Sequence, residues 1–127
     1  MRKLILVVAV GLLVTGASNS AKAISGENLL EACKLSLGDH SKYTFDQGMQ
    51  FGVCIGYLRS LIETHSAIEG VWKQRKIFCI PKKVSSKQYA AIAIKAIEEN
   101  PKYWHLQPAT LIISKFMKTW PCLKSKK

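Results

Sequence analysis

Cys33, Cys54, Cys79 and Cys122 are the only cysteines in the sequence, and all four lie downstream of an N-terminal stretch with the form of a secretory signal. In that stretch Arg2 and Lys3 precede an apolar run from Leu4 to Val14, and Ala21-Lys22-Ala23 has the small-x-small form of a cleavage site. The run is too short to span a bilayer as a helix, and no cysteine follows it to carry a lipid. The expectation is a cleaved signal over residues 1–23, with no stable membrane insertion afterwards. An even number of cysteines in an exported chain predicts two disulfides formed in an oxidising compartment. Zinc is the competing use of four cysteines. No C-x-x-C pair occurs, and His40, His65 and His105 are scattered, so neither a metal nor any other cofactor is expected.

A cut after Ala23 leaves 104 of the 127 residues, enough for one domain with a modest core. Covalent staples are what such a small core needs. The full chain carries a net charge of +11; without Arg2, Lys3 and Lys22 it is +8. That charge suits an acidic partner or an anionic envelope surface, or serves solubility. An exported chain has little access to nucleic acid, so no nucleic-acid partner is expected. Lys124 to Lys127 form a basic tail, placed with Leu123 outside the ordered domain of residues 24–122.

Hydrophobic spacing predicts helices throughout. Leu29, Leu30 and Cys33 mark a short amphipathic helix from Ser25 to about Leu35, ended by Gly38, Asp39 and Ser41. Thr44 and Gln47 form a capping box that opens a second helix, read as running to about Ser66. Its apolar side carries Cys54, Tyr57, Leu58, Leu61, Ile62 and His65. Gly48, Gly52 and Gly56 recur every four residues along it, and each costs about 1 kcal/mol relative to alanine in a helix interior. Such a stripe calls for a close neighbour. The favoured reading is another helix of the same subunit; a helix of a second subunit is the alternative. Residues 67–80 read as the least regular stretch, punctuated by Gly70. Ser85 and Gln88 cap a third helix through Glu99, with Tyr89, Ile92, Ala93, Ala96 and Ile97 on one face. Asn100, suited to a left-handed cap, and Pro101 stop it. Pro108 suits the first turn of a fourth helix, whose stripe is Ala109, Ile112, Ile113, Phe116 and Trp120.

Four cysteines allow three connectivities, and sequence alone selects none. Helices that fold back as two compact hairpins favour Cys33–Cys54 and Cys79–Cys122. On the chain-entropy account these loops are worth roughly 3 and roughly 4 kcal/mol. The expected architecture is all-α: four to five helices in two stapled hairpins.

Catalytic constellations are missing from the pattern. There is no nucleophile elbow, phosphate loop or metal motif. Asp39-His40 reads as a solvated turn, and Glu98-Glu99 as a solvated helix end, since adjacent helical residues do not face each other. An enzyme would have to assemble a site from His40, His65 or His105 with distant partners. A small stapled helical body points to binding instead.

The ordered set Leu29-Leu30-x-x-Cys33, Cys54-Ile55-Gly56-Tyr57, Phe78-Cys79-Ile80-Pro81, Asn100-Pro101, His105-Leu106-x-Pro108-Ala109 and Trp120-Pro121-Cys122 resembles the Rap/Tai immunity family across nearly the whole mature chain. The resemblance implies a helical, often dimeric, periplasmic protein that binds a peptidoglycan amidase effector delivered by type VI secretion and blocks its active site. No bond is made or broken in that role. Trp72, Lys73, Arg75 and Lys76 are the expected effector contacts, with Tyr103 and Trp104 as lesser candidates. The competing reading makes them a solvated loop and two core aromatics.

Two other classes fit parts of the sequence. A helical periplasmic chaperone or envelope stress protein of the same fold would be activated by acid, but this chain has few carboxylates to titrate. A cationic membrane- or wall-binding protein accords with the charge, but the basic residues are spread along the chain and the helices carry core-like stripes.

Overall fold

The computed structural model describes residues 22–73 and 75–122. The expected signal, apart from Lys22 and Ala23, and the basic tail lie outside the described residues. Among these, four α-helices and no strand are found: α1 (Gly26–Leu35), α2 (Phe45–Trp72), α3 (Ser86–Glu98) and α4 (Ala109–Thr119). Short 3-10 turns at His40–Lys42 and Pro101–Tyr103 link the helices of each pair.

The helix starts are chemically explicit. Thr44 accepts from the Gln47 N–H at 3.3 Å, and the Gln47 side chain accepts from the Thr44 N–H at 2.9 Å. Ser85 and Gln88 do the same at 3.3 and 2.8 Å. Both capping boxes therefore satisfy donors that a helix start leaves unpaired. The start of α1 is satisfied from a distance in sequence: Gly26 N–H donates to Leu106 O at 2.9 Å and Glu27 N–H to Trp104 O at 3.1 Å. This approach is close enough that a Cβ on Gly26 would lie 3.2 Å from the Trp104 carbonyl oxygen.

Helix α3 is the centre of the body, packing against α1, α2 and α4. Ala90, Ala93 and Ala96 keep its surface low, and Ile94 and Ile97 complete its buried set. Leu29, Cys33, Cys54, Leu58, Ile112 and Phe116 close the core around it. Phe78, Tyr89, Phe116 and Trp120 form an aromatic cluster between the segment before α3 and the end of α4. The disulfides are Cys33–Cys54, clamping α1 to α2, and Cys79–Cys122, clamping the lead-in of α3 to the chain leaving α4. The Cys79 N–H also donates to Trp120 O at 2.8 Å.

Three boundaries differ from expectation. Helix α2 continues past Ser66 to Trp72, because nothing between them removes a backbone donor, and Gly70 sits in the helix without a positive φ. Asn100 is not left-handed (φ −131°); its side-chain amide instead donates to Ala96 O at 2.8 Å, which closes α3 from outside. Pro108 precedes α4 as its cap rather than entering its first turn.

Candidate functional site at the free end of the long helix

Helix α2 has 28 residues and spans about 42 Å at 1.5 Å per residue. The other helices have 10, 13 and 11 residues, too short to cover it along its length. Apolar side chains at its two ends are consequently exposed: Phe45 at 82%, Val71 at 74% and Trp72 at 65%.

The C-terminal end of α2 is the more elaborate. Lys73 caps the helix with φ 50°, the one positive φ among the described non-glycine residues. A left-handed residue with a Cβ costs about 1 kcal/mol relative to glycine, the usual occupant of this position. Lys73 is thus held at a place where glycine would be less costly, and its ammonium-bearing side chain is exposed beside Trp72. Arg75 and Lys76 follow, both exposed. Lys76 reaches back to Glu69 on α2 at 3.2 Å. The Ile77 N–H donates to His65 Nε2 at 3.2 Å, and the imidazole stacks on Phe78 with centroids 4.1 Å apart. Leu61, Ile68, Ile77, Phe78 and Ile113 line an apolar cleft of about 400 Å³ beneath this segment, with Arg75 at its rim. The arrangement can offer a partner an aromatic anchor, three cations and an apolar recess.

Of the residues singled out from sequence, Trp72, Lys73, Arg75 and Lys76 therefore fall together, with Trp72 on the last turn of α2 rather than in a loop. Tyr103 and Trp104 belong elsewhere, in the turn between α3 and α4. Trp104 is half-buried, and its indole N–H donates to Ile97 O at 2.8 Å. Its backbone carbonyl holds the start of α1. Tyr103 is 39% exposed, with Lys102 4.8 Å from its ring centre. Val71, Ile77 and the anchoring role of His65 were not singled out from sequence; the last has no local signal, since His65 and Ile77 lie twelve residues apart.

A second exposed surface lies toward the other end of α2. A Cβ built on Gly48, Gly52 or Gly56 would meet nothing within 4 Å. Among the described residues, the expected neighbouring helix of the same chain is therefore not found against these glycines. Met49 and Val53 on this side are 58% and 47% exposed. Cys54 and Leu58, on the opposite side, are buried. Apolar residues thus occupy both sides of this stretch of α2, whereas a surface helix ordinarily has one apolar side.

The polar clusters weighed as candidate chemistry are locally employed. The Asp39 carboxylate accepts from the Ser41 hydroxyl and N–H at 2.7 and 3.1 Å, which holds it below its ordinary range, with Lys42 3.6 Å away. His40 packs on Phe51 at 4.4 Å and contacts Ser36 O. Glu98 pairs with Lys34, and Glu99 with Lys115 and Lys95. The hydrogen bond from Lys115 is the main reason the Glu99 carboxyl lies low. Burial pushes the Tyr57 hydroxyl up, against a backbone contact with Ala109. Among the described residues no group of three His, Cys, Asp or Glu could hold a metal, and no helix is long and apolar enough to cross a membrane.

No curated protein and no solved structure matches the chain. A family model described as Rap1a immunity proteins matches residues 25–122.

Proposed function

The chain belongs to the Rap1a immunity protein family, and from that premise we propose that it acts in the periplasm, where it binds a peptidoglycan amidase effector of type VI secretion and occludes the active site. The observation that carries this reading is the projecting end of α2. Trp72 is 65% exposed on a stapled body, with Val71 before it in the chain and exposed Lys73, Arg75 and Lys76 after it. Tight protein inhibitors rely on a few aromatic and arginine anchors that become desolvated within a polar rim. Inhibition by occlusion asks for no catalytic group on the inhibitor. Two disulfides accord with an oxidising compartment.

The working form is a homodimer in this proposal, with the Phe45–Gly56 face of α2 packed against the same face of a second copy. Three glycines with open space above them, flanked by exposed Phe45, Met49 and Val53, support that assignment. A close helix crossing would offset the propensity that the glycines forgo.

Periplasmic co-expression with a candidate amidase, scored for survival, tests the function. Protection by the wild type and loss of protection in Trp72→Ala combined with Arg75→Glu are expected. Cells that lyse equally with and without the protein, across the amidases encoded beside it, would overturn the reading.

A further inference from the structure

We propose that His65 is a pH-sensitive latch: its neutral imidazole holds the cationic segment that follows α2, and protonation releases it. The segment is fixed at both ends. Lys73 is set by the end of α2, and Cys79 by its disulfide and by the bond of its N–H to Trp120 O at 2.8 Å. Between these ends two side chains of α2, one turn apart, tie it down. His65 Nε2 accepts from the Ile77 N–H at 3.2 Å, and Glu69 pairs with Lys76 at 3.2 Å.

An imidazole that accepts at Nε2 carries its proton on Nδ1. When a second proton arrives from solvent, both ring nitrogens become donors and Ile77 loses its acceptor. The new charge also reaches the second tie. His65 and Glu69 stand at i and i+4, the spacing at which a helical cation and carboxylate attract. Protonated His65 therefore competes with Lys76 for Glu69.

Among the described residues, the other charged or titratable groups that line the two clefts bordered by His65, besides Glu69, are Arg75 and Lys76 on the segment, Lys82 before α3 and Tyr89 on α3, while α4 lends these clefts apolar Ile113. Three of these are cations that the imidazolium repels, two of them on the segment that is released. The ring itself stays in place: it lies flat on Phe78, at 4.1 Å and 21°, and a cation over an aromatic face is attracted. Protonation thus frees the segment without opening the core. The consequence for effector binding rests on the contact role proposed above; the latch itself does not.

The test is a ¹⁵N NMR titration of the full mature chain without effector. Imidazole nitrogen shifts should show the Nδ1–H form at the basic end. On acidification the Ile77 amide should shift with the same midpoint as His65, and the heteronuclear NOEs of Lys73, Arg75 and Lys76 should fall. His65→Phe, which keeps a ring on Phe78 but removes the acceptor, should show the low NOEs at every pH. An Nε2–H tautomer, or an Ile77 amide and NOEs that ignore the His65 transition, would overturn the latch; the wild-type spectra suffice even if the variant does not fold. Effector affinity that is flat in pH while the spectra change would leave the latch intact and remove the segment from the effector contact.

Discussion

Replacing Gly48, Gly52 and Gly56 together by alanine separates what these residues do within one protomer from what they do between two. Within the protomer, an added Cβ meets nothing within 4 Å at any of the three sites, and none has a positive φ. Alanine then contributes its helix propensity alone, about 1 kcal/mol per site and about 3 kcal/mol for the triple variant. For a domain of about 100 residues that is a rise of at least ~10 °C in protomer melting temperature. Between two copies the same methyl groups would stand in the helix crossing and hold the backbones apart, and a Gly52→Leu side chain would do so more strongly. The assay is a melt at several protein concentrations with light scattering on the same samples. Wild-type melting should rise with concentration, as it does for any folded dimer. The variants should be monomers with concentration-independent melts, the triple variant lying above the wild type at high dilution. A Gly52→Leu protein that dimerises as tightly as the wild type, or a wild type that is monomeric at every concentration, would refute the assigned face. A triple variant with no gain at high dilution would show that the glycines already meet something within the protomer.

Lys73→Gly should stabilise the fold by about 1 kcal/mol in denaturant titrations, by relieving the left-handed cap, while weakening effector binding. Cys79→Ser with Cys122→Ser should cost about 4 kcal/mol on the chain-entropy account, somewhat more than opening the shorter Cys33–Cys54 loop, by the same titrations. Lys115→Ala should let the Glu99 carboxyl rise toward its ordinary value in a ¹³C titration. Because the folded value is depressed, the stability linked to Glu99 is fully present above the ordinary carboxylate value and is lost as pH falls from there through the lower folded value. The variant should therefore lose less stability on acidification than the wild type.

Much of the fold was legible because its determinants are local. The Thr44/Gln47 and Ser85/Gln88 boxes announce themselves at three-residue spacing, and the structure contains both. The disulfide pairing was one of three that the sequence left open; compact hairpins favoured Cys33–Cys54 and Cys79–Cys122, and the structure contains that pair. The end of α2 was harder to place. A single glycine at position 70 weakens a helix without stopping it, and that helix carries Trp72 out to its exposed position. Asn100 offered two ways of closing α3, and its side-chain amide prevailed over a left-handed backbone. The glycine stripe favoured a helix of the same subunit as close neighbour, and none is found there among the described residues, because spacing along one helix does not identify what faces it. The bond between His65 and Ile77 joins residues that only the path of the chain brings together.

The most direct test of occlusion through the end of α2 is inhibition of peptidoglycan cleavage by an amidase of the kind proposed as its effector, titrated with the wild type and with a Trp72→Ala, Arg75→Glu, Lys76→Glu variant whose fold is verified by its melt. Stoichiometric inhibition by the wild type, with the variant's inhibition constant raised at least about tenfold by loss of a single anchor's worth of binding, is the predicted result. Equal inhibition by both proteins would contradict it.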